Sequence, residues 1–135
     1  MKSLIVEDDF TSRFLLQELL APHGQCHVAV NGREAVSAFR IAVDANQPYD
    51  LVCLDIMMPE MDGHAALKEM RAMEESKGIN STHGAKIIMT TALADVKNVA
   101  AAYRALCDGY LVKPVDKSKL LELLDEFKVL KKENR

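Results

Sequence analysis

No apolar run in this sequence reaches the length of a membrane span. The amino-terminal stretch from Met1 to Val6 turns acidic at Glu7 and is too short for a signal peptide. Cysteine is scarce. Cys26, Cys53 and Cys107 are widely spaced and form no CxxC pair, which excludes a zinc knuckle or a dithiol redox pair. They read as free buried thiols in a reducing cytosol. Positive charge is also lacking. The formal net charge is -3, and without clustered Lys and Arg the chain is not expected to bind nucleic acid directly. The one basic cluster, Lys128, Lys131, Lys132 and Arg135, reads as a solvated helix end near the negative dipole terminus. There is no GxGxxG, so a dinucleotide enzyme is not indicated. His23, His27, His64 and His83 show no metal spacing and suit surface or structural roles. No internal repeat, low-complexity segment or linker to a second domain is visible. The expectation is a single domain over residues 1–135, cytoplasmic, with no membrane association, as a monomer or weak dimer.

What is present fits one soluble core. The chain has 135 residues, 49% of them hydrophobic and 27% charged, enough to fold without disulfide or metal staples. Short apolar runs alternate with amphipathic stretches. Leu4 to Val6, Cys26 to Val30, Leu51 to Leu54, Lys86 to Thr90 and Gly109 to Val112 read as strands. Helical spacing follows each: Thr11 to Ala21, then Ala35 to Val43, Ala65 to Met73, Asp95 to Leu106, and a stripe from Leu120 to Leu130. Asp116 or Ser118 is the cap candidate of the last helix. Glu74 to Gly84 reads as a long exposed loop. Strict alternation predicts a parallel sheet covered on both faces.

In such a sheet ligands bind beyond the carboxyl ends of the strands. The first strand is followed by Glu7-Asp8-Asp9, the third by Asp55, the fourth by Thr90-Thr91 and the fifth by Lys113-Pro114. The second contributes Asn31-Gly32, which read as turn residues. Singly, each has an ordinary explanation. Acids after a strand cap helices, Asp55 before Pro59 suits a turn, a lone Thr is structural and a lone Lys is solvated. Together they gather acids, a hydroxyl and an ammonium at one sheet edge. Close carboxylates repel unless a cation sits among them. Oxygen-only ligation at a solvated edge suits magnesium. A metal held by carboxylates suits phosphoryl transfer, and a carboxylate can itself be the nucleophile.

Leu4-Ile5-Val6-Glu7-Asp8-Asp9, the segment Leu54-Asp55-Ile56-Met57-Met58-Pro59-Glu60-Met61-Asp62-Gly63, Thr91-Ala92 and Lys113-Pro114 resemble the four signatures of the receiver domain of bacterial response regulators. The resemblance spans essentially the whole chain. It implies a flavodoxin-like (βα)5 doubly wound parallel sheet in strand order 2-1-3-4-5. It implies that Asp55 is the phosphoacceptor, that Asp8 is a direct metal ligand and that Glu7 acts largely through water. The Met57 main-chain carbonyl is a further implied ligand of Mg2+ (or Mn2+). Thr91 matches the switch hydroxyl, because Ala92 follows it and Lys113 lies 22 positions on. Lys113 matches the phosphate-contacting lysine, Lys113-Pro114 a usually cis peptide, and Tyr110 the aromatic that moves with the hydroxyl. The implied partners are a histidine kinase or histidine phosphotransfer protein as donor, and a separate effector protein. The effector would be met through the face of the fourth helix, fifth strand and fifth helix (α4-β5-α5). Such a domain catalyses only its own phosphorylation and dephosphorylation.

The chain departs from the family pattern in two places. The stretch between Gly63 and Lys86 is longer than usual, with residues 75–83 as the insertion. Met57 and Leu93, two positions after the phosphoacceptor and the switch hydroxyl, are bulky and apolar where polar residues would place an attacking water, which predicts a long-lived phosphoryl group. Among rivals, a flavin-binding protein needs a hydroxyl- and glycine-rich phosphate loop where this chain has acids. A phosphatase with an Asp nucleophile has a second acid at the position of Met57. A degenerate receiver, acting only as an interaction module, is the alternative within the family.

Overall fold

The computed structural model describes residues 1–58, 61–79, 83–92 and 106–129. Strands β1 (Lys2–Val6), β2 (Gln25–Ala29), β3 (Leu51–Asp55), β4 (Lys86–Thr91) and β5 (Gly109–Val112) form one sheet in the order β2-β1-β3-β4-β5. Every pairing is parallel. Helices α1 (Phe10–Leu20), α2 (Gly32–Asp44) and α3 (Gly63–Ser76) follow the first three strands, and a last described helix spans Lys117–Phe127. The flavodoxin-like order expected from the resemblance is the one observed.

Strand side chains alternate between faces, so each strand supplies two cores. Leu4, Val6, Val52, Leu54, Ile87 and Met89 pack with Phe39 of α2 and with Leu67 and Met70 of α3. Ile5, Leu51, Cys53, Ile88 and Leu111 pack with Leu16 and Leu20 of α1 and with Leu120 and Leu124 of the last helix. A sheet apolar on both sides has to be sandwiched, which explains the unbroken apolar runs. Of the thiols, Cys53 alone is fully buried; Cys26 and Cys107 are half-buried, so the expectation of buried thiols is corrected for those two.

Each of these four α-helices begins on a side-chain cap that satisfies a free backbone N–H. Asp9 accepts from Ser12 N, Asn31 from Glu34 N, Asp62 from Ala65 N and Asp116 from Ser118 N. Asn31 is therefore a cap and not only a turn residue, and Asp116 rather than Ser118 caps the last helix. Gly63 opens α3 directly behind β3. A Cβ there would lie 2.6 Å from the Asp55 carbonyl oxygen and 2.8 Å from Ile56 Cα, so the approach of backbone to backbone requires glycine.

The loop expected from Glu74 to Gly84 also needs correction. Helix α3 runs on to Ser76, and Glu74 is only 4% exposed, not the start of an exposed loop. Arg71 is the reason. Its guanidinium donates to Glu74 Oε1 (2.8 Å), Asp108 Oδ2 (2.9 Å), and the carbonyls of Ala85 (2.8 Å) and Leu106 (2.7 Å). Glu74 Oε2 accepts from Ala85 N at 2.7 Å. The brace joins α3 to the entries of β4 and β5, at the sheet edge away from the acids. The expected helix over 95–106 lies outside the described residues except for Leu106. So do Pro59, Glu60, Leu93, residues 80–82 of the insertion, and the chain from Leu130 onward.

Candidate functional site

The carboxyl ends of β1, β3, β4 and β5 deliver the predicted residues to one edge. Parallel register sets their level: Val6 pairs with Leu54 and Asp55 with Thr90, so Glu7, Asp55 and Thr90 stand side by side at the sheet rim. Glu7, Asp8 and Asp55 each offer a carboxylate oxygen within 4.8 Å of the others. Glu7 and Asp55 are buried, whereas Asp8 is exposed. Asp9, the remaining acid of the run, turns away to cap α1, and the Ser12 N–H and hydroxyl hold its pKa below the usual carboxylate value.

Lys113 reaches this cluster from the end of β5, beside the cis Lys113-Pro114 peptide. Its Nζ lies 3.0 Å from Asp55 Oδ1 and 2.6 Å from Glu7 Oε1. Lys113 is thereby the partner of Glu7 Oε1, which is otherwise buried without a hydrogen bond. Glu7 Oε2 accepts from Asp9 N at 3.1 Å. Burial pushes the Glu7 pKa up from 4.5 to about 7, with Asp55 adding to the rise and Lys113 and the Asp9 amide opposing it. Burial works against the Lys113 charge, but Glu7 and Asp55 outweigh it and raise the Lys113 pKa.

The switch candidates stand around this centre. Thr91 is buried and its hydroxyl donates to the Ala92 carbonyl at 3.3 Å. Tyr110 is half-exposed on β5. The Met57 amide lies 3.4 Å from Asp55 Oδ1, and its side chain is 74% exposed at the rim. Leu93 lies outside the described residues, so its placement beside Met57 is not shown. Sequence reasoning passed over Arg13, whose Nη1 donates to the carbonyls of Glu7 (3.0 Å) and Asp8 (3.4 Å) and braces the acidic loop. The available signal was its place one helical turn after the cap Asp9.

The donor set suits a hard divalent cation. All its donors are oxygens, and one ammonium leaves the three carboxylates with negative charge in excess. Burial raises the Glu7 pKa first and the neighbouring Asp55 carboxylate adds to the rise, so a further positive charge at this edge would favour the ionised acid.

Residues 3–125 match the family model described as the response regulator receiver domain. The chain belongs to the response regulator receiver family. It is 34% identical over 125 residues to chemotaxis protein CheY of Bacillus subtilis, covering 91% of this chain and 93% of CheY. Regulatory protein AtoC of Escherichia coli is 38% identical over 118 residues, covering 87% of this chain but 23% of AtoC, so the chain spans about a quarter of that relative. Among solved structures, the receiver domain of sensor histidine kinase PA1611 from Pseudomonas aeruginosa superposes with a TM-score of 0.74 at 26% identity. That match covers 93% of this chain and 95% of that one, and magnesium is coordinated in that protein's active-site cleft. The chain is thus a receiver domain of two-component signalling. Among the described residues no helix is long and apolar enough to cross a membrane.

Proposed function

We propose that Asp55 is the phosphoacceptor of a phosphorylation switch in the cytoplasm, loaded by a histidine kinase or histidine phosphotransfer protein. The observation that carries this is the convergence of Lys113, Glu7 and Asp8 on the Asp55 carboxylate at the sheet edge. Glu7, Asp8, Asp55 and the Met57 main-chain carbonyl would hold Mg2+ or Mn2+. The ion supplies positive charge for the oxygens of the transferring phosphoryl group.

The chain's own groups do the rest. An Asp55 carboxylate oxygen attacks phosphorus while the bond from phosphorus to the donor imidazole nitrogen breaks, the electron pair leaving with that nitrogen. The Lys113 ammonium, 3.0 Å from Asp55 Oδ1, is placed to neutralise the new phosphoryl oxygens. The brace from Arg13 keeps the Glu7-Asp8 backbone fixed, so the cradle does not have to reorganise. The Thr91 hydroxyl leaves the Ala92 carbonyl and turns to a phosphoryl oxygen, and Tyr110 follows it inward. The output passes to a separate effector protein through β5, Lys117–Phe127 and the helix expected over 95–106.

Incubation with a small phosphodonor and Mg2+, read by intact mass, tests the assignment. The natural chain gains one phosphoryl group and Asp55→Asn gains none. Undiminished labelling of Asp55→Asn refutes it.

A further inference from the structure

Of the five described strands, β2 alone brings no candidate ligand or reacting group to the sheet edge. Its end nevertheless touches the site from two sides. The Ala29 carbonyl accepts from Glu7 N at 3.0 Å and fixes the backbone of the first acid. Three residues on, Gly32 opens α2 and is buried. A Cβ on Gly32 would overlap the Met61 carbonyl oxygen and lie 2.8 Å from the Met61 carbonyl carbon. The chain between β3 and α3 thus rests its backbone on the start of α2. Alanine would serve the helix better, so it is this close approach that requires glycine.

The turn between the two contacts is stiff. Asn31 Oδ1 accepts from Glu34 N at 2.8 Å, and Glu34 Oε1 accepts from Val30 N at 3.0 Å. This reciprocal pair ties the turn to the first turn of α2. The chain that rests on it is held at other points as well. Gly63 N donates to the Ile56 carbonyl at 3.0 Å, and Met58 and Met61 pack against the core under α2 and α3. Met57 belongs to this chain, with its amide 3.4 Å from Asp55 Oδ1.

We propose that the Asn31-Gly32 turn is a strut between the two halves of the cation site, with Gly32 as its positioning residue. One end of the strut holds the Glu7 backbone through Ala29. The other end seats the chain that carries Met57. The spacing between Glu7 and the Met57 main-chain carbonyl is thereby set by a strand that supplies neither. A cation site needs such a spacer, because Mg2+ demands near-ideal octahedral geometry.

The proposal rests on the reading of Glu7, Asp8, Asp55 and the Met57 carbonyl as a divalent-cation site. Its test is Mn2+ binding, followed by electron paramagnetic resonance of the free ion, with circular dichroism and thermal unfolding of the same samples. Gly32→Ala should bind Mn2+ about tenfold more weakly than the natural chain, as when a group that orients metal ligands is disturbed. Phe39→Leu disturbs the same helix two turns away, where Phe39 stacks on Tyr49. It should lose stability and keep the natural Mn2+ affinity. Asn31→Ala, which frees the turn without adding bulk, should also weaken Mn2+ binding, and Asn31→Ser, which keeps a capping oxygen, should restore it. Natural Mn2+ affinity in folded Gly32→Ala overturns this proposal alone, as does natural affinity in Asn31→Ala if Gly32→Ala does not fold. An equal loss of affinity in Phe39→Leu overturns it too, since the effect would then follow stability and not position. Failure of the natural chain to bind Mn2+ overturns the cation-site reading and this proposal with it.

Discussion

Replacing Glu7 with glutamine isolates the electrostatic load on the site. The carboxyl is fully buried, and in the metal-free protein its pKa rises from 4.5 to about 7, by burial first and by Asp55 after it. Between those values the native state keeps a proton that the unfolded chain has lost. Native stability therefore falls as pH rises through that window, and the loss is complete above about pH 7. Each pKa unit corresponds to about 1.4 kcal/mol, so the full shift sets an upper bound of about 3 kcal/mol. Glutamine resembles the protonated acid and carries no such dependence. At pH 8 without metal, Glu7→Gln should be more stable than the natural chain by about 1–3 kcal/mol, or about 3–10 °C in Tm. At pH 5 the gap should close. Urea unfolding with a chelator present, followed by far-ultraviolet circular dichroism, measures both; the chain has no tryptophan to report by fluorescence. Added Mg2+ at pH 8 should then stabilise the natural chain more than the variant. A stability gap that stays constant from pH 5 to pH 8, or a variant less stable at pH 8, refutes the reasoning.

Arg71→Ala should cost about 3–5 kcal/mol in urea unfolding, because it strands buried Glu74 along with the Ala85 and Leu106 carbonyls. A loss under about 1 kcal/mol would show that the brace contributes little. Gly63→Ala drives a Cβ into backbone 2.6 Å away at Asp55, so it should both destabilise the fold and slow Asp55 labelling by a small phosphodonor. A variant with natural stability and labelling contradicts the packing argument. Met57→Asn/Leu93→Glu should lose the acyl phosphate faster than the natural chain after donor removal, since polar groups can place the attacking water. Equal decay rates defeat the water-exclusion argument.

The fold was legible because its signals are local. An all-parallel sheet forces apolar runs, and these end where Glu7, Asp55, Thr91 and Lys113 begin. Order along the chain therefore placed the acids, the hydroxyl and the ammonium at one edge before any distance was known. Glu74 was misread for the complementary reason. Its burial depends on Arg71, three residues back, and on Ala85 and Asp108, which only the folded chain brings near. A charged residue in a polar stretch gives no sign that partners await it. Arg13 escaped notice similarly, since its work is on two backbone carbonyls that carry no signature in the sequence.

Burial, more than proximity, separates the roles of the acids. Asp8, Asp9 and Glu7 are consecutive, yet Asp9 spends its charge on a helix N-terminus, where donors are free. Asp8 remains exposed, where water can share its load. Glu7 alone is fully buried, and that burial drives its pKa up. Lys113, the ammonium that meets its carboxylate, must also serve Asp55. A site built this way is under repulsion at rest and gains most from added positive charge. That is the arrangement expected where divalent-cation binding and phosphoryl transfer depend on the same few carboxylates.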